Sequence, residues 1–150
     1  MRVSEVMTHN PVCCIRTTSV MNAARMLRDF DIGFLLVIDD PRTRKLIGVV
    51  TDRDLCLAAL GELHDPALTT VEDCMATDPV TCTPDRDTRE ILATMAEHQI
   101  RRLPVVDQDN HARGIVGIAD LIRHNAADPR DLWMALSRIT APKEVTAKTA

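Results

Sequence analysis

The apolar positions fall into short runs and helical stripes, and the order of those runs occurs twice. Val12 to Ile15, just after a proline, has the length of a short strand. Behind it Val20, Ala23, Ala24 and Leu27 stand at i, i+3, i+4 and i+7, which predicts an amphipathic helix with Thr18 or Ser19 as its N-cap. Next come four apolar residues, Leu35 to Ile38, ended by Asp39. An unbroken run of that kind suits a strand covered on both faces. Asp39-Asp40-Pro41-Arg42-Thr43 signals a turn, Leu46 to Val50 a third strand, and residues 52–60 a closing helix.

The second pass runs through the same series. Val6-Met7-Thr8-His9-Asn10-Pro11-Val12 matches Cys74-Met75-Ala76-Thr77-Asp78-Pro79-Val80 at an offset of 68 residues. The offset drops to 66 after the turn, where the first copy is two residues longer. There Gly48 to Leu55 aligns with Gly114 to Leu121. The second copy predicts a strand at Val80 to Thr83 and a helix capped by Asp87 with the stripe Ile91, Leu92 and Met95. Strands at Leu103 to Val106 and Gly114 to Val116 follow, and then a helix over about residues 118–125.

Each unit therefore reads β-α-β-β-α, with its first two strands parallel and its second and third a hairpin. A unit of about 55 residues is too small to bury a satisfactory core alone. The expected fold is α+β, two tandem units packed sheet to sheet with pseudo-two-fold symmetry. The expected division is 1–60 for the first repeat, 61–68 for a linker around His64-Asp65-Pro66, 69–126 for the second repeat, and 127–150 for a C-terminal helix and tail. Leu132, Trp133, Leu136 and Ile139 are spaced for that helix, and the chain from Ala141 reads as a loose tail.

Composition narrows the function. The net charge is −4, with 18 basic against 22 acidic residues, and Phe30, Phe34 and Trp133 are the only aromatics. Neither a basic stripe nor a stacking platform for nucleic acid is present, so no nucleic-acid partner is expected. No run of about 18 apolar residues exists, so no membrane span is expected. Met1-Arg2-Val3-Ser4-Glu5 has no apolar stretch behind it and does not read as a signal peptide. The expected compartment is the cytoplasm, with the five cysteines reduced. The five histidines show no ligand-like spacing with cysteine or with one another, and no metal site is expected. The glycine-rich, nucleophile-elbow and metalloprotease motifs of phosphoryl, hydride and acyl transfer are absent, so no catalysis is expected.

These duplicated motifs resemble the CBS-domain pair, or Bateman module. The likeness rests on Met7 to Val12, on Asp31-Ile32-Gly33 and its counterpart His98 to Val105, and on Gly48-Val49-Val50-Thr51-Asp52-Arg53-Asp54-Leu55. It covers about residues 4 to 125, and its length is similar to prokaryotic proteins made of this module and little else. The resemblance implies two clefts that bind an adenosine-containing ligand: AMP, ADP, ATP or S-adenosylmethionine. It also implies a homodimer in the form of a flat disk.

Thr51-Asp52-Arg53-Asp54 lies where a strand hands over to a helix. The helix start can accept a phosphate, to which Thr51 adds a hydroxyl donor, and Asp54 can accept from both ribose hydroxyls. The same spacing is also a capping box that simply closes the helix, and both readings can hold at once. The second copy, Gly117-Ile118-Ala119-Asp120, keeps the acid without the hydroxyl, so the two sites are not equivalent. In the family a basic residue before the preceding strand often reaches a phosphate. Arg101 and Arg102 stand there, Arg102 the better placed, although a solvated pair is the plain alternative. Phe34 can wall the base or simply pack in the core.

Two other function classes remain open. In one, the stripe at Leu132, Trp133, Leu136 and Ile139 docks on a protein partner, unless it packs on the module itself. In the other, a thiol senses redox state. Adjacent strand residues face opposite ways, so a buried Cys14, equivalent to Cys82, makes Cys13 the more exposed candidate.

Overall fold

The computed structural model describes residues 1–62 and 64–143. The C-terminal tail expected from Ala141 falls mostly outside the described residues. The first half opens with a short helix α1 (Val3–Val6), strand β1 (Thr8–His9) and strand β2 (Cys13–Ile15). Helix α2 (Val20–Phe30), the hairpin β3 (Phe34–Ile38) and β4 (Leu46–Thr51), and helix α3 (Asp52–Cys56) follow. A π-helical turn, Leu57–Gly61, continues α3. The second half runs from a 3-10 turn (Val71–Asp73) through β5 (Ala76–Thr77), α4 (Thr88–His98), β6 (Arg102–Val106) and β7 (Ala112–Gly117). Helices α5 (Ile118–Arg123) and α6 (Pro129–Ile139) complete it.

The two long repeat helices are set by matching local signals. Ser19 caps α2 by accepting the Asn22 amide, and Asp87 caps α4 by accepting the Arg89 amide. Both end on a left-handed residue, Asp31 and Gln99, at equivalent positions. The α2 stripe buries Val20, Ala23 and Leu27 but leaves Ala24 exposed, one step off the expected face.

As the repeat predicts, β2 pairs parallel with β3, and β3–β4 and β6–β7 are antiparallel hairpins. The expected strand at Val80 to Thr83 shrinks to one parallel bridge, Cys82 to Val105. The inner faces of the sheets meet in a cluster of Leu36, Ile38, Leu46, Val106 and Ala112.

The repeats also exchange their opening segments. β1 pairs with β7, and β5 pairs with β4, so the sheets run β1-β7-β6 and β2-β3-β4-β5. Val3 and Val6 therefore sit in the core of the second repeat, and Val71 sits in the core of the first. Backbone bonds stitch each exchange. The Val3 amide donates to the Arg86 carbonyl (2.9 Å), and the Val71 amide donates to the Thr18 carbonyl (2.8 Å).

Candidate functional site

The hairpin turns meet at an antiparallel bridge between Lys45 and His111. From that bridge β4 and β7 run in opposite directions, so the helix starts they feed stand at opposite ends of the module. Register assigns the candidate residues to these two ends. Phe34 lies opposite Thr51, the residue that leads into α3 with Arg53 and Asp54. Arg102 lies opposite Gly117, which leads into α5 with Asp120. Among the described residues no hydrogen bond or ion pair joins the two groups.

At the first end, the Asp54 Oδ2 atom accepts from the Thr51 amide (2.8 Å) and from the Thr51 hydroxyl (2.9 Å). The Asp54 amide donates back to Thr51 Oγ1 (3.2 Å). The capping box is therefore formed. The other carboxylate oxygen, Oδ1, has no hydrogen-bond partner among the described residues. Among the described residues no buried side-chain oxygen or nitrogen lacks a partner, so this atom is not fully buried and is open to solvent. It can accept a further donor without disturbing the cap.

The motif's local geometry is not in itself a functional signature. Thr70 and Asp73 build the same box, with amide and hydroxyl bonds of 2.8 and 3.0 Å, at the 3-10 turn that opens the second half. Those bonds hold the exposed Asp73 carboxyl below its ordinary range.

A phosphate is less well served here than the sequence suggests. α3 has five residues before the π turn, so its dipole is small, and Asp52 and Asp54 already set two carboxylates in its first turn. Arg53 is exposed on that turn and is the cation nearest in sequence. Phe34 is half-buried and packs against the cluster between the sheets, so it serves at least as core.

The second end is closed. Asp120 is buried, its Oδ2 accepts the Gly117 amide (2.7 Å), and its Oδ1 is held by the Arg123 guanidinium. Arg102 is the first residue of β6 rather than the residue before it, and it is exposed. Its Cγ passes 3.3 Å from where a Cβ on Gly117 would sit. The Arg101 carbonyl accepts the Ile118 amide (3.1 Å).

The exchange of opening segments was not visible in the repeat alignment. It places residues 74–77 alongside β4 and residues 7–9 alongside β7, so each end is flanked by the other repeat. The available signal was the pairing of Met7 and Met75 with Gly114 and Gly48. A side chain at either glycine would meet the opposite methionine and a backbone oxygen at 2.8–2.9 Å.

The remaining candidates also take definite places. On α6, Leu132, Leu136 and Ile139 pack with Ala135 on the second repeat's core, whereas Trp133 points outward and is 73% exposed. Cys14 and Cys82 are buried, and Cys13 is half-buried beside Arg44. The exposed thiol is Cys56, at the end of α3, where strand alternation has nothing to say. Asp107, Asp109 and His111 come close enough to suggest a cation site. Asp107 is already committed to the His111 and Asp109 amides, the His111 ring and the Arg113 guanidinium. None of the described helices is long and apolar enough to cross a membrane.

Comparison with known proteins agrees with this architecture. The CBS domain matches the chain twice, over residues 3–61 and 71–127. The CBS domain-containing protein YhcV of Bacillus subtilis is 33% identical over 119 residues, covering 79% of this chain and 81% of that one. Hypoxic response protein 1 of Mycobacterium tuberculosis is 31% identical over 120 residues, 80% of this chain and 82% of its own. Among solved structures, CBSX2 in complex with AMP superposes with a TM-score of 0.72 at 30% identity, covering 83% of this chain and 95% of that one. The CBS domain pair of MJ0100, in complex with 5'-methylthioadenosine and S-adenosyl-L-methionine, gives a TM-score of 0.73 at 26% identity, with 83% and 95% covered. With two matched repeats, sheets packed face to face and relatives of the same build, the chain belongs to the CBS-domain family as a pair of CBS repeats.

Proposed function

We propose that this CBS pair is a non-catalytic sensor that holds an adenosine-containing ligand at the Thr51–Asp54 end. The observation that carries the reading is the free Oδ1 of Asp54, a solvent-facing acceptor on a carboxylate already fixed by its cap. The ligands named with CBSX2 and MJ0100, namely AMP, methylthioadenosine and S-adenosylmethionine, share an adenine and a ribose diol. A carboxylate with one oxygen locked and one free suits such a diol. ADP and ATP remain in the same class. Any phosphate would turn toward Arg53 and away from the two first-turn carboxylates. At the other end, Asp120 is engaged on both oxygens, which makes that end the weaker one; Arg102, next to Arg101, stands opposite Gly117 there.

In this reading the chain works in the cytoplasm as a homodimer. Phe30, Leu57, Leu60 and Ile122 are exposed apolar side chains on the outer helices, and a second copy would cover them. Ligand occupancy acts by preferring one of two arrangements of the repeats, which a partner protein then reads.

Thermal unfolding of the full chain against AMP, ADP, ATP and S-adenosylmethionine, with GTP beside them, tests the proposal. A ligand at about 100 times its Kd adds about 2.7 kcal/mol, a clear rise in midpoint. The rise is expected in the wild type and absent in Asp54→Ala. If no adenine ligand raises the midpoint, the reading moves to a ligand-free adaptor.

A further inference from the structure

The two halves part company at the turns that meet on the pseudo-two-fold axis. Arg44 and Asn110 occupy matching positions there, both with left-handed backbone (φ 55° and 65°). Each carbonyl accepts the amide that opens the other half's strand. Leu46 donates to Asn110 (2.9 Å), and Ala112 donates to Arg44 (2.8 Å). The side chains differ. The Arg44 guanidinium donates to the Pro11 carbonyl (3.2 Å) and to Cys13 Sγ (3.3 Å), filling the crevice between its turn and the first opening segment. Asn110 is too short to do the same. Its amide turns back to the Leu46 carbonyl (2.9 Å), and beside it a cavity of about 560 Å³ lies open.

That cavity is lined by Asn110, Asp78, Pro79 and Thr81, with the Arg16–Glu72 ion pair also at its wall. Pro79 and Thr81 are the repeat counterparts of Pro11 and Cys13, the two residues that hold the Arg44 guanidinium. We infer that the cavity beside Asn110 binds the guanidinium group of a small guanidino compound, the group that its twin crevice already receives from the chain itself. Thr81 improves on Cys13, because a hydroxyl oxygen is a better acceptor than a thiol sulfur. Asp78 supplies negative charge, since Glu72 is taken up by Arg16. A planar fork of N–H donors suits a carbonyl and a hydroxyl set side by side. The volume is that of a small-molecule site. None of Phe34, Thr51, Arg53 or Asp54 lines it, so variants at Asn110 and Thr81 test this site without touching the residues assigned to the adenosine ligand.

The test is isothermal titration of the full chain with agmatine and with L-arginine. The expected result is one saturable site per chain. Asn110→Arg supplies the cavity with its own guanidinium and weakens binding at least about tenfold. Arg44→Asn empties the twin crevice and raises the stoichiometry toward two. Thr81→Val is a milder change at a half-buried position, and loss of one acceptor weakens binding by about 3- to 10-fold. No saturable binding of either compound at about 10 mM, or binding that Asn110→Arg and Thr81→Val leave unchanged, would overturn the assignment.

Discussion

Gly48 and Gly114 do the same work in the two halves. A Cβ at Gly48 would lie 2.8 Å from the Ala76 carbonyl oxygen, and one at Gly114 would lie 2.8 Å from the Thr8 oxygen. Backbone of the partner strand cannot swing aside as a side chain can. Gly48→Ala is therefore expected to lower stability by about 1–3 kcal/mol in denaturant unfolding. Gly61→Ala, where the nearest atom would be 3.7 Å away, serves as the internal control and changes little. The buried thiols make a second residue-scale prediction. Burial pushes Cys14 and Cys82 up to about 12, and the neighbouring Cys13 adds to the effect on Cys14. An unfolded thiol titrates near about 8.5. Between those values the unfolded chain gives up protons that the native chain keeps. Stability is thus full below about pH 8.5 and falls as pH rises, by about 1.4 kcal/mol per unit for each thiol. Urea titrations at pH 8 and pH 10 read the loss, and Cys82→Ala should reduce it; an unchanged difference would remove Cys82 from the account.

Helix α6 shows why like elements in a duplicated chain acquire unlike neighbours. It packs on α4, whose second face carries buried Leu92 and Ala96. The same positions on α2 are Ala24 and Arg28, both exposed, so the first repeat offers no matching surface. Leu136→Ala, at a half-buried contact, is expected to cost about 1–3 kcal/mol. Trp133→Ala should change stability by less than about 0.5 kcal/mol. The opposite ranking in thermal unfolding would mean that the outward face of α6 is the packed one. Periodicity made most elements legible, because buried runs and helical stripes carry their own spacing. It misplaced Trp133, because bulk drew attention from the i+3 position, where the smaller Ala135 makes the contact. It also could not show that β1 and β5 cross to the other repeat. Pairing partners are chosen by complementarity between segments far apart in the chain, Thr8 with Ile115 and Gly48 with Thr77, and two-residue strands have no period to read. The Thr51-x-x-Asp54 motif was visible, but what distinguishes it from Thr70-x-x-Asp73 is its place at the end of β4, where the strand hands over to α3.

At the scale of the whole molecule, the exchange makes each repeat's core depend on the other repeat's opening residues, Val3 and Val6 in one direction and Val71 in the other. Under the proposed sensor function, these shared core residues are the contacts through which a change at one end would reach the second repeat. The pseudo-symmetry is broken where ligand chemistry would be. The first end has a hydroxyl and a free carboxylate oxygen, the second a glycine and a carboxylate closed by Arg123. Equilibrium binding of AMP and S-adenosylmethionine by the full chain, measured beside Asp54→Asn and Asp120→Asn, tests this account most directly. The expected result is one tight site per chain for at least one of the two ligands, lost in Asp54→Asn and kept in Asp120→Asn. Binding that survives Asp54→Asn, or vanishes only in Asp120→Asn, would contradict it.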